Sequence, residues 1–280
     1  MAEWADKLEG YTGNLPLISY GVSGAVIGLD DKTVLKNFIG GEERKLDEII
    51  EREIYGRLGH HPSIVKCISM HHKGIILERL ECCLRQRLIE LRQRNELPTK
   101  GQILKWSRQV SEGIQYIHGK NVFQVDIGTH NILIDNQDNV KLCDFAGSSI
   151  DEGDSTVLPG GCEGYHLFFK KGTKPSIHTE LFALGCAIFE MSTTWRPYHD
   201  KTDKEIKARY DAGEFPDTDN LILGPVMRKC WSFQYSSAAE VVDEIDKIIA
   251  EYSPSTNDGW SQEAAQEGEQ MVKSSLEVSR

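Results

Sequence analysis

The sequence predicts an α+β chain, strand-rich over its first quarter and mostly helical afterwards. Three observations carry that prediction. Short apolar runs bounded by glycine and polar residues recur between positions 15 and 38. In residues 42–58, Leu46, Ile50, Ile54 and Leu58 recur every four positions, a helical apolar stripe. Mid-chain, the polar cluster Asp135-Asn136-Gln137-Asp138-Asn139 separates two apolar runs, which favours a β-hairpin. At 280 residues and 39% hydrophobic, the chain can bury a substantial core as one two-lobed unit or as two small domains.

Residues 1–14 read as an unpaired lead-in. Residues 17–27 then offer two strands joined by a glycine-containing turn, and residues 32–38 a third. A glycine turn lets backbone N–H groups approach phosphate oxygens, although a plain hairpin also needs glycine. On the following helix, Glu51 lies seven before Leu58 and shares the apolar face. A glutamate facing inward needs a positive partner. Lys36, ending the run Val34-Leu35-Lys36, is the candidate, with Glu48 and Glu53 as alternative acids for that lysine. Residues 59–65, Gly-His-His-Pro-Ser-Ile-Val, end the helix.

Residues 74–80 form a strand running into a polar connector. Residues 84–91 are basic and amphipathic, and residues 102–118 place Ile103, Trp106, Val110, Ile114 and Ile117 at helical spacing. Arg85, Arg87, Arg92 and Arg94 read as a solvated helix face in a chain this acidic. Residues 147–174 form a long loop rich in Gly, Ser, Asp and Pro, a kind of segment that tends to be functional. Residues 180–191 are apolar on most sides, hence a buried helix. Helices at 203–212, 226–231 and 238–252 complete the ordered part, and from Ser253 the polar, mostly acidic composition predicts disorder.

Composition excludes several function classes. A net charge of −11 argues against a nucleic-acid or anionic-membrane binder. No apolar run approaches the roughly 20 residues needed to span a bilayer. The first six residues lack the basic and apolar regions of a signal peptide. Seven cysteines without a C-x-x-C pair read as reduced thiols, which predicts a cytoplasmic protein. The pairs His60-His61 and His71-His72 have no accompanying ligands at zinc spacing, and Cys82-Cys83 reads as core filling.

The chemistry concentrates at residues 122–147. Asp126 opens an irregular loop, Asn131 ends it, and the hairpin returns the chain to Asp144. Two hard oxygen ligands, Asn131 and Asp144, with a third carboxylate nearby suit Mg²⁺ carrying substrate phosphates. Gln124-Val125-Asp126…Asn131 followed by Asp144-Phe145-Ala146 resembles the catalytic loop and Asp-Phe-Gly motif of protein kinases. The resemblance runs from about Leu15 to Tyr252, with further motifs in family order. Ser19, Gly21, Gly24 and Val26 match the glycine loop, and Gly185 lies in a helix like the central helix of the large lobe, with Glu180 replacing an aspartate.

The resemblance implies a two-lobed protein-kinase-like fold, with a β-rich lobe over residues 15–79 and a helical lobe over residues 80–252, followed by a tail over residues 253–280. It implies ATP with Mg²⁺, or Mn²⁺, and a protein substrate phosphorylated on serine or threonine. Lys36 paired with Glu51 would hold the phosphates. Leu77 would guard the back of the adenine pocket, with the Glu78–Leu80 backbone as hinge. Asp126 would orient the acceptor hydroxyl, and Asn131 and Asp144 would hold the metal. The chain is silent on oligomeric state.

Some residues depart from the family pattern. Ala146 replaces the third residue of Asp-Phe-Gly, and Val125 the arginine that normally receives an activation-loop phosphate, so Ser148, Ser149, Ser155 or Thr156 would lack the usual partner if phosphorylated. Gly128 stands where serine/threonine kinases carry a lysine that steadies the transferring phosphate, and Cys162 where a threonine contacts the catalytic aspartate. Leu167-Phe168-Phe169 replaces Ala-Pro-Glu, and Ala238 takes the place of that glutamate's arginine. Losing both partners is cheap, whereas stranding one buried charge costs about 3–5 kcal/mol. Two readings follow: a protein kinase, or a pseudokinase that binds nucleotide or partners without transfer.

Overall fold

Alternation along one strand decides which way Lys36 points. The computed structural model describes residues 15–21, 23–39, 45–151, 153, 155–156 and 174–252. The expected lead-in and tail, together with Val22, Cys162 and Leu167-Phe168-Phe169, lie outside the described residues. Strands β1 (Leu17–Gly21), β2 (Gly24–Gly28), β3 (Thr33–Asn37), β4 (Cys67–His71) and β5 (Gly74–Glu78) form one antiparallel sheet in the order β1-β2-β3-β5-β4. Successive strand residues face opposite ways. Leu35 therefore joins Ala25, Ile27 and Ile76 in a small cluster on one face, while Val34 joins the main core. Lys36, two on from Val34, shares its face.

Helix α1 (Lys45–Leu58) buries Asp47, Glu51, Ile54, Tyr55 and Leu58. The expected stripe is corrected at its start, because Leu46 is 52% exposed. Asp47 turns inward instead, where its Oδ1 accepts the Thr156 hydroxyl at 2.7 Å. The inward positions of the first two turns thus carry acids, each taken up by a polar partner.

The rest is helical around small strands. β6 (Cys82–Cys83), β8 (Ile132–Ile134) and β9 (Val140–Leu142) form a three-stranded sheet, and β7 (Val122–Phe123) pairs with β10 (Ser149–Ile150). The remaining helices are α2 (Leu84–Gln93), α3 (Lys100–His118), α4 (Ile177–Thr193), α5 (Asp203–Asp211), α6 (Gly224–Trp231) and α7 (Ala238–Glu251). The five apolar positions expected on the helix before the catalytic loop are all buried on α3. Thr99 and Gln102 close α3 with a reciprocal capping box, as Ser176 and Thr179 do for α4. No helix among the described residues is long and apolar enough to cross a membrane.

The two regions are locked together behind the site. Leu142 N–H donates to Ser63 O at 2.8 Å and Val65 N–H to Leu142 O at 2.9 Å, so the segment after α1 pairs with β9. The Tyr116 hydroxyl of α3 donates to Leu58 O at the end of α1. One continuous apolar cluster runs from Ile54 and Leu77 through Leu142 to Trp231.

Candidate active site

The strand alternation that points Lys36 inward meets the helical period that points Glu51 inward. Lys36 Nζ lies 2.5 Å from Glu51 Oε2 and 2.6 Å from Asp144 Oδ1. Glu51 is fully buried and Lys36 only 5% exposed, so the pair is shielded from solvent screening. Burial opposes the lysine's charge, yet Glu51 and Asp144 outweigh it and hold the ammonium above its ordinary pKa. Burial pushes the Glu51 carboxyl up to about 7, against the pull of Lys36. The alternative acids are engaged elsewhere: Glu48 with Arg52, and Glu53 with Arg57.

The hairpin forms with the register Ile132↔Leu142, Leu133↔Lys141 and Ile134↔Val140. It carries Asp144 from the end of β9 to Lys36. Phe145 is fully buried edge-on against Tyr55, with ring centroids 5.4 Å apart, and its N–H donates to Glu51 Oε1 at 3.3 Å. The left-handed glycine of this turn is Gly147, at φ 81°, whereas Ala146 keeps a negative φ. The alanine at 146 therefore meets no strain in this conformation.

Asp126 and Asn131 are tied to each other. The Asn131 amide donates to Asp126 O at 2.9 Å and to Asp126 Oδ2 at 3.0 Å. That leaves the Asn131 side-chain oxygen, in a residue only 8% exposed, as the remaining donor atom toward a cation. Asp144, with its side chain 40% exposed, supplies a second hard oxygen. An amide oxygen and one carboxylate suit Mg²⁺, which takes its other ligands from water and phosphate. Among the described residues no cluster of three His, Cys, Asp or Glu side chains could hold a metal by itself.

The strand after the glycine turn and the strand before the connector both pair with β3, which carries Lys36. Ser19 pairs with Val26, Gly21 with Gly24, and Val26 lies directly across from Lys36. Gly24 is glycine for a packing reason: at φ +152°, a Cβ there would come within 2.3 Å of Asn37 O. A Cβ on Gly21 would meet nothing within 4 Å. Leu77 is buried across from Val34, and Leu80 packs against the main core. The Glu78 carboxylate is occupied, accepting Lys66 N–H and Lys141 Nζ at 2.7 Å each.

Several contacts that shape the site escaped the sequence reading. Glu180, fully inside α4, accepts the Val125 N–H at 2.7 Å and lies 2.6 Å from His118 Nε2. This holds Val125 at φ 73°, a left-handed conformation that a β-branched residue rarely adopts. Gln124 donates to Cys143 O at 2.8 Å, tying the loop to the hairpin. The Thr129 hydroxyl donates to Glu190 Oε2 at 2.6 Å, and Arg85 Nε lies 3.4 Å from Glu190 Oε1. Arg85 thus leaves the solvated face expected of it, because a buried acid on α4 draws it inward. The available signal was two glutamates inside an otherwise apolar helix. Ser148 and Ser149 are buried, so of the four hydroxyls named in the loop only Ser155 and Thr156 lie nearer solvent.

Comparison with known proteins places the chain in a family. Among similar proteins are the CBL-interacting serine/threonine-protein kinase 8 of Arabidopsis thaliana, 25% identical over 73% of this chain and 46% of that protein, and the mouse serine/threonine-protein kinase Nek5, 30% identical over 49% of this chain and 23% of that protein. The mitogen-activated protein kinase kinase kinase dlk-1 of Caenorhabditis briggsae is 26% identical over 55% of this chain and 19% of its own length. The chain thus spans less than half the length of these relatives. The family model described as the protein kinase domain matches residues 22–256, and the chain belongs to that family.

Proposed function

We propose that the chain is a protein kinase, transferring the γ-phosphate of ATP to serine or threonine hydroxyls of protein substrates. The convergence of Lys36, Glu51 and Asp144 within 2.6 Å is the observation that carries this reading. Phosphoryl transfer is mostly positioning and electrostatic stabilisation, which the contacts among Lys36, Glu51 and Asp144 support. Lys36, held by Glu51, binds the phosphates, and Asp126 orients the acceptor hydroxyl and takes its proton. Asn131 and Asp144 would hold Mg²⁺ or Mn²⁺, which neutralises phosphate charge when bound. The turn carrying Ser19, Gly21 and Gly24, with Val26, Leu77, Glu78 and Leu80, would enclose the nucleotide. Six described cysteines are free thiols, which supports a reducing, cytoplasmic setting.

The test is incorporation of radiolabelled phosphate from ATP into protein, with Asp126→Ala as control. Transfer by the wild type and its loss in the variant support the proposal, and equal incorporation by both ends it. A second reading, a nucleotide-binding pseudokinase, draws on Gly128. Its backbone is extended (φ −176°), a conformation open to any residue, so the missing lysine is a loss of side chain that no backbone strain explains. That reading predicts nucleotide-dependent thermal stabilisation without transfer.

A further inference from the structure

The loop without a lysine carries another nitrogen donor beside its aspartate. His130 sits in the short 3-10 turn Thr129–Asn131, with Nε2 3.2 Å from Asp126 Oδ2. Asn131 donates to the same carboxylate oxygen at 3.0 Å. The turn itself is anchored from below, because buried Thr129 donates to buried Glu190. The His130 Nδ1 atom is buried and makes no hydrogen bond. A carboxylate oxygen can only accept, so the ring presents Nε2–H to Asp126, and Nδ1 is the edge left without a partner.

We infer that His130 is a positioning residue of the transfer site. It acts through Asp126, fixing the carboxylate jointly with Asn131, and so supplies orientation that the glycine at 128 cannot. The ring does this through its Nε2–H. The inference rests on the kinase reading for its catalytic consequence and on the hydrogen bond alone for its geometry.

Two measurements separate those levels. In phosphate-transfer kinetics, His130→Ala is expected to lower kcat by about 10²-fold, the order of loss that misplacement of a reacting group brings. The KM for ATP should stay within about twofold, since Asp126 orients the acceptor and does not bind nucleotide. His130→Gln, whose Nε2 replaces the ring Nε2–H, is expected to recover most of the loss, whereas His130→Asn, which mimics the other ring nitrogen, is not. A His130→Ala variant with wild-type kcat, or a glutamine variant as impaired as the alanine one, overturns the inference. The second measurement is the ¹⁵N chemical shifts of the His130 ring at pH 8, in the wild type and in Asp126→Ala. An Nε2–H tautomer that loses its preference in Asp126→Ala supports the contact even if the wild type transfers no phosphate, a result that would count against the kinase reading alone. An Nδ1–H tautomer in the wild type overturns the contact whatever the activity.

Discussion

Lys36 and Glu51 meet at 2.5 Å across the junction of strand β3 and helix α1, with no solvent access to the acid. Two unrelated periodicities, one of two residues and one of 3.6, have to agree in phase for this pair to form. Removing one partner leaves the other buried without compensation. Lys36→Met is expected to destabilise the fold by about 3–5 kcal/mol and to abolish nucleotide binding. Glu51→Gln added to Lys36→Met should restore part of that stability. Denaturant unfolding of the two single variants and the double variant measures it, and additive losses would show that the pair is not coupled.

Glu180 holds the loop that carries Asp126. Its carboxylate satisfies the Val125 N–H and faces His118, and the next residue is Asp126 itself. Glu180→Ala leaves a buried donor unpaired and should cost about 1–3 kcal/mol. Phosphate transfer should fall as well, because Val125 is no longer held in its left-handed conformation. Thermal unfolding and transfer rates read the two effects separately.

Helices α4 and α6 touch at Gly185. A Cβ there would lie 2.8 Å from the Cys230 Cβ and 3.0 Å from the Trp231 Nε1, and that Nε1 already donates to Cys186 Sγ at 3.2 Å. Gly185→Ala should overpack this contact and cost about 1–3 kcal/mol despite the better helix propensity of alanine. At this chain length each kcal/mol lowers Tm by about 2–4 °C. A Tm equal to that of the wild type would mean the two helices separate freely.

Acid should weaken the fold at His61. Burial, with His60 beside it, pushes the His61 imidazole down to about 4, and its Nδ1 accepts the Ser63 N–H at 3.1 Å. The unfolded chain takes up that proton near pH 6.5, before the folded one does. The contribution is therefore complete above about pH 6.5 and is lost as pH falls through about 4. The stability of His61→Gln should fall less steeply than that of the wild type between those limits. Parallel pH curves for the two proteins would refute this.

Much of the architecture was legible because burial imposes periodicity. The Ile132–Ile134 and Val140–Leu142 hairpin, the inward face of α3 and the mostly apolar α4 each follow from runs whose spacing matches their element. Glu51 was legible for the same reason, sharing a helical face with Leu58. The first turn of α1 was not, since Leu46 and Asp47 exchange places for a partner, Thr156, more than a hundred positions away.

Residue order along the chain was enough to specify which acids, amide and ammonium the molecule possesses and which elements present them, because each local choice is a matter of period, turn chemistry and charge. Their meeting was settled only by the folded chain. Lys36 chooses Glu51 over Glu48 and Glu53, Glu180 reaches Val125, Arg85 turns from solvent to Glu190, and His130 comes to rest on Asp126. Most of these contacts join residues far apart in sequence, and all form because a buried charge or N–H is costly until something answers it. That cost depends on the surroundings, which a one-dimensional pattern does not contain.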